Sequence, residues 1–451
     1  VIEAESMFKY FPHTEEDRRA MAERIGIRSE AELFRDIPKD VLFRRDYDLP
    51  SAQSEIELRK TLADLEAQNA PKICFGGMGV YDHYAPAVLS QLTSRQEFQT
   101  AYTPYQPEVA QGTLQYIFEF QSMITMLTGM EVANASMYDG PTACAEAMFM
   151  AAGIARRDTI LVSATVSPHV RAVLSTYAHF KGLRLEIVAE KEGITDRDDL
   201  DRLLNPSVAG LIVQKPNRYG IVEDYTGLSD RLHGQSSVLI ESADISTLAV
   251  LKTPGEDGAD IACGDCQSLG MPMAFGGPYL GYLATRKTYV RKMPGRIVGQ
   301  SFDKNGQRAF VLTLQAREQH IRREKANSNI CSNQSLMALY ATIYLSLLGP
   351  NGLREVNRLS HAGARYLEEK LLATGKFFRE FERPYWKEFV LRTPLRPELM
   401  TKALSEAGFF GAIPVSEWEE GRGVLVDFAV TEQRSKAEID RFAAVLGGLS
   451  C

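Results

Sequence analysis

The 451-residue chain has no run of about 18 consecutive apolar residues, so no stretch of it reads as a bilayer span. Its opening, VIEAESMFKYFPHTEED, lacks the basic and apolar regions of a secretory signal; Met7 is expected to be the natural start. There is no G-x-S-x-G, no H-E-x-x-H, and no Walker or Rossmann glycine spacing, so hydrolase, zinc-protease and dinucleotide chemistry have no motif to stand on. Basic charge is not in excess either. With 51 Lys and Arg against 58 Asp and Glu, the net charge is −7, and the footprint of a nucleic-acid or anionic-membrane binder is missing. Of six cysteines only Cys263 and Cys266 stand close, as a C-x-x-C. No second pair or histidine pair completes a zinc site, so two reduced thiols in a turn are expected, with no metal and a reducing, cytoplasmic compartment. Finally, no lysine occurs between Lys252 and Lys287, although GDCQSLGMPMAFGGPYLGY (264–282) has a polar turn, a Gly-Gly-Pro and an aromatic strand in succession.

Apolar residues at 45% and charged ones at 24% are the balance of a packed globular protein, and the length calls for a large domain plus a smaller one. TEEDRRAMAERIGIRSEAELF opens with a Thr cap and an acidic turn and is broken at Gly26 into two short helices. SEIELRKTLADLEAQN is a second amphipathic segment, with Ile56, Leu58, Leu62 and Leu65 near one face. From the helix TACAEAMFMAAGIARR onward, β-rich runs (DTILVSAT, LRLEIVAE, VAGLIVQKPN, SSVLIESA) alternate with helices, the rhythm of parallel crossovers. A buried apolar helix over 335–349, too short for a membrane span, and an amphipathic one over 353–373 connect to a compact α+β end. The plan is therefore a helical arm (7–75), a large α/β domain (76–330), and connecting helices with a small α+β domain (331–451).

Four constellations carry candidate chemistry. Gly140-Pro141 turns directly into a helix beginning at Thr142, where free N–H groups suit a phosphate, though a capped helix start needs no ligand. The proline-stiffened loop TAYTPYQPEVAQG presents Tyr102, Tyr105 and Gln106 at low entropic cost, either to a partner or to its own domain. Glu241 and Asp244 end a strand, where carboxylates of an open α/β sheet face the ligand crevice or simply solvent. QAREQHIRREKANSNIC carries Arg317, His320, Arg322, Arg323 and Lys325, which form either a solvated helix face with Glu318 and Glu324 or an anion-binding edge.

Three long stretches then point in one direction: YTPYQPEVAQGTLQYIFEFQSMITMLTGMEVANASMYDGPTACAEAM, LKTPGEDGADIACGDCQSLGMPMAFGGP and LQAREQHIRREKANSNICSNQSLMALY. With them the chain resembles the P-protein of the glycine cleavage system along nearly its whole length. It is most similar to the half that some bacteria make as a separate first subunit. The resemblance implies a fold-type-I pyridoxal-phosphate (PLP) transferase architecture with a mostly parallel sheet. It also implies that the Schiff-base lysine is replaced here by Gln267, whose amide is not a basic nucleophile. PLP would then sit on the partner, glycine decarboxylase subunit 2, in an α2β2 assembly. There it would form the aldimine through which glycine is decarboxylated, and the aminomethyl group would pass to the lipoyl H-protein. Tyr102, Tyr105 and Gln106 would wall the partner's active site, Asn327 and Ser328 would reach the partner's PLP phosphate, and Gly140, Thr142, Glu241, Asp244 and Gln267 would outline a degenerate pocket of the chain's own. Val80 and His83 in GVYDHYAP depart from the family, where aromatic and Thr-like residues are more usual, as do the cysteines of CGDC.

Two other readings compete. The chain is an independent PLP lyase or transaminase if Lys215 or Lys252, both expected to be surface charges, serves as the Schiff base. It is a non-catalytic scaffold or regulator if it supplies nothing to a reaction.

Overall fold

The computed structural model describes residues 13–43, 45, 47–99, 103–274 and 276–450. The chain divides into two units, residues 1–70 and residues 71–451. In the first unit, helix Glu15–Ile25 starts at a Thr14 capping box and ends at Gly26 in the left-handed conformation, and helix Glu55–Glu66 starts at a Ser54 capping box. Neither helix buries a residue, and Ile56, Leu58, Leu62 and Leu65 are all exposed.

The second unit is organised by a seven-stranded sheet in the order Val132–Ala133, Gly281–Thr285, Ile261–Asp265, Val238–Ala243, Val208–Lys215, Thr159–Ser163, Arg184–Val188. Only Gly281–Thr285 runs against its neighbours; the other pairings are parallel. The central strands are buried along nearly their full length because helices cover both faces, which is why they read as continuous apolar runs. Helix Gly140–Ala155, rich in Ala and Met, packs on one face with Cys144, Met148 and Ala151 wholly buried. Helices Gln111–Thr128 and Ser335–Ala373 bury Phe120, Ile124, Ala341 and Tyr344 against the other. Strand Ile261–Asp265 is hidden in sequence by its Cys-Gly ending; it stands third in the seven-stranded sheet and fixes where Gln267 lies.

Ser335–Ala373 spans 39 residues and is bent at Gly349 (φ 59°) ahead of Pro350. The non-helical Gly349 divides it into an apolar and an amphipathic helix, as the sequence reads, and its inner face packs in the core. The chain's last part forms a four-stranded antiparallel sheet, Phe378–Arg379, Glu388–Thr393, Val424–Ala429 and Ile413–Pro414, backed by helices Pro397–Glu406 and Lys436–Gly447. Ile73–Phe75, assigned to the arm from sequence, instead pairs in parallel with Phe409–Gly411, and the Phe75 ring stacks on Phe442 at 4.2 Å. The expected basic helix over 315–335 is three single turns, Gln315–Arg317, Gln319–Arg322 and Arg323–Lys325.

Candidate active site: a closed pocket and a rim

The strand ends meet at a cavity of about 470 Å³ lined by Gly77–Tyr81, Asp139–Pro141, His169, Ser242–Asp244, Asp265 and Ser268, among others. This is the crevice that open α/β sheets use, at the carboxyl ends of strands and the N-terminus of a helix. Gly140 and Asp244 line it. Glu241 does not: it points into the core, wholly buried, and pairs with Lys215 at 3.1 Å. Burial pushes its carboxyl well up from the usual range. Lys215 is accordingly no surface charge. Only 2% exposed, it binds Asp257 as well as Glu241 and lies over the Tyr225 ring. Lys252 is exposed, a surface charge as expected, and pairs with the other oxygen of Asp257 at 2.9 Å. Neither lysine lines the cavity, and each is held by carboxylate.

At the start of helix Gly140–Ala155 every N–H is already used. Gly140 N–H donates to Asp265 Oδ2 at 2.9 Å, Pro141 has none, Thr142 N–H donates to Asp139 Oδ1 at 2.8 Å, and Ala143 N–H donates to the Asp139 carbonyl at 2.9 Å. Asp265 also accepts from Gln267 N–H at 2.7 Å, and burial pushes its carboxyl up to about 7 against those two bonds. Gly140 is required because a Cβ there would lie 2.9 Å from Asp265.

Gln267 is 1% exposed, and its amide is consumed in tying down the chain. Nε2 donates to the carbonyls of Tyr81 (2.8 Å) and Met271 (2.7 Å), and Oε1 accepts from Tyr81 N–H at 2.9 Å. Lys387, an amine beside the cavity, is engaged too. It contacts Asp244 at 2.6 Å, His83 Nε2 at 2.9 Å and Ser246 Oγ at 3.2 Å, and sits 3.9 Å from the Tyr81 ring centroid. His83 in turn bonds Glu432 through Nδ1 at 2.7 Å; burial and Lys387 hold its ring below the usual pKa, hence neutral. For Asp244, burial is outweighed by Lys387 and Ser268, which keep the carboxylate below its usual value.

These residues do not fit PLP. No side chain at the Gln267 position offers an amine, and a phosphate at the helix start would meet Asp139 and Asp265 instead of free N–H groups. Cys263 and Cys266 play no visible part: both are buried thiols, Cys263 raised by the neighbouring Cys144 and by burial.

The other candidates lie elsewhere. Tyr102 falls outside the described residues. Tyr105 and Gln106 are exposed and line an open groove with Thr103 and Val109. Asn327 and Ser328 border a different cavity, with Phe149, Tyr177 and the buried Glu146. Thr142 serves in the capping box with Asp139. Sequence reasoning missed Asp139, Asp265, Lys387 and Arg296. Asp265 alone carried a signal, being two residues from Gln267 at a strand end; Lys387 comes from a stretch more than a hundred residues away.

A mostly parallel sheet with a helix N-terminus and strand ends converging on one pocket is the architecture of the fold-type-I PLP enzymes. Residues 8–446 match the family model described as the glycine cleavage system P-protein. A probable glycine dehydrogenase (decarboxylating) subunit 1 of Desulforamulus reducens is 45% identical over 445 residues, covering 98% of this chain and 100% of that protein. One of Moorella thermoacetica is 47% identical over 441 residues, covering 98% and 99%. A crystal structure of glycine decarboxylase (P-protein) of the glycine cleavage system, in inhibitor-bound form, matches at TM-score 0.88 and 44% identity, covering 97% and 99%. A Lactobacillus brevis glutamate decarboxylase at 12% identity and TM-score 0.68 shares the fold. The chain belongs to the glycine cleavage system P-protein family.

Proposed function

We propose that this chain is the subunit without the Schiff-base lysine in a two-subunit glycine decarboxylase, and that the PLP of this PLP-dependent family is held by the other subunit. The observation that carries the reading is Gln267, its amide bonded to Tyr81 and Met271 with the adjoining helix start closed by Asp139 and Asp265. PLP supplies an electron sink for the loss of CO2 from glycine. This chain's share is to wall the partner's site through the loop that carries Tyr102, Tyr105 and Gln106, excluding water from a carboxylate that sheds its hydration as CO2 leaves. The assembly is two copies of each subunit, and the acceptor of the aminomethyl group is a lipoyl H-protein.

The test has two arms. The chain alone is incubated with PLP, desalted, reduced with borohydride and scanned for absorbance; no retained chromophore is expected. Mixed with the cofactor-bearing subunit and lipoylated H-protein, it is expected to restore glycine-dependent CO2 release that neither subunit gives alone. A lysine of this chain labelled by borohydride, or full activity of the other subunit by itself, overturns the proposal.

A further inference from the structure

We infer that Arg296 is a positioning residue that aims the Tyr105 hydroxyl, as a hydrogen-bond donor, at an anionic oxygen held by the partner subunit; the inference rests on the two-subunit reading above. The Tyr105 ring is 50% exposed, yet what lies beneath it is not. Arg296 is 3% exposed, with its guanidinium 4.7 Å from the ring centroid and Nη2 donating to Tyr105 Oη at 3.0 Å. Buried Glu318 accepts from Arg296 Nε at 3.3 Å. The loop that carries Arg296 is pinned in turn: Arg317 donates to the carbonyls of Met293, Gly295 (2.9 Å) and Leu314 (3.0 Å), and Ala135 N–H donates to the Arg296 carbonyl at 2.8 Å. Three stretches far apart in the chain, around Tyr105, Arg296 and Glu318, thus form one rigid mount for one exposed ring.

Taking an arginine and a glutamate out of water is costly, and an aromatic that merely covers surface needs no such foundation. The arrangement makes sense if the direction of the phenol matters. Tyr Oη has one proton and two lone pairs. With one lone pair bound to the guanidinium, its own proton is left for an acceptor other than Arg296; within this chain only the weak acceptor Cys331 Sγ stands near among the described residues, at 4.0 Å, and the open groove of about 650 Å³ that Tyr105 shares with Gln106 lies beside it. A cation bonded behind a hydroxyl polarises it and strengthens its bond to an anionic acceptor. In a glycine decarboxylase the substrate carboxylate and the cofactor phosphate are two anionic groups that can accept such a bond.

The experiment uses the full complex of this chain with its cofactor-bearing partner and compares Tyr105→Phe, Arg296→Lys and the two combined. Lysine keeps the charge but lacks the planar fork that serves Tyr105 and Glu318 together. Each single change is expected to lower kcat/KM for glycine about ten- to hundredfold, the worth of a bond to a charged group, with assembly retained and Tm lowered by only a few degrees for Tyr105→Phe, which leaves Arg296 Nη2 without its acceptor. In the Tyr105→Phe background, Arg296→Lys is expected to add nothing, since it acts through Tyr105. A rise in glycine KM identifies the carboxylate as the acceptor; a weaker Kd for PLP identifies the phosphate. Unchanged KM and Kd in Tyr105→Phe, or an Arg296→Lys loss that persists undiminished in that background, overturns the inference. A wild-type mixture without CO2 release overturns the two-subunit reading itself and this inference with it.

Discussion

The pocket beneath Gln267 and the rim at Tyr105 are assembled from similar polar residues, yet one faces inward and is satisfied while the other faces outward and is aimed. In the pocket, Gln267, Asp139, Asp265, Asp244 and Lys387 all bond within the chain, and together they tie the 77–84 segment, the sheet and the C-terminal part to one another. At the rim, buried Arg296 and Glu318 hold exposed Tyr105. The difference teaches that polar groups gathered at the strand ends can serve cohesion when each finds a partner inside the chain, whereas a buried ion pair beneath an exposed ring leaves that ring open to solvent.

The comparison breaks first if the interior is not cohesive. Lys387→Met leaves Asp244 buried without its cation and frees His83 Nε2, and is expected to cost about 3–5 kcal/mol of unfolding free energy by denaturant titration. A loss under about 1 kcal/mol would show that the network does not hold the fold. Because Asp244 sits below its usual pKa, its contribution is present above about pH 4 and fades as pH falls through the folded value.

Next comes the closure of the pocket. Gln267→Lys restores an amine but leaves Asp265 on the helix start, so borohydride is expected to trap no PLP on it. Combined with Asp265→Ala, trapping on the new amine is expected. Equal trapping by the single change would mean that the carboxylate is no barrier.

A third test concerns Glu146, 4% exposed and raised to about 7 by burial, which lines the cavity shared with Asn327 and Ser328. A carboxyl raised in the folded state stabilises below its unfolded value and loses that contribution as pH rises through about 7. Stability should therefore slope downward between about pH 4.5 and 7, and Glu146→Gln should flatten that slope when unfolding midpoints are measured across pH.

The smallest expected effect is at the rim. Gln106→Ala removes an exposed side chain and should alter stability by no more than about 0.5 kcal/mol. Its effect on turnover of the reconstituted complex is expected to exceed its effect on Tm. The reverse would place Gln106 among the structural residues.

Much of the architecture is legible in the sequence because it follows local patterns: the alternation of β-rich runs with helices, the caps at Thr14 and Ser54, the break at Gly349. Strand Ile261–Asp265 escapes because cysteine and glycine, poor strand markers, fill its second half. Lys215 departs from its expected place for a related reason. Residue type makes a lysine a surface charge by default, and only the fold sets Glu241 and Asp257 around it.

The sequence by itself determined the alternating α/β plan, the family, and the absence of any lysine between Lys252 and Lys287, since each is a property of residue order. Tertiary structure alone decided that Asp265 occupies the helix start, that Lys387 and His83 meet Asp244, and that Arg296 stands under Tyr105. Those bonds join residues dozens to hundreds of positions apart, and hydrogen bonding at about 3 Å is fixed by packing, which no local pattern encodes.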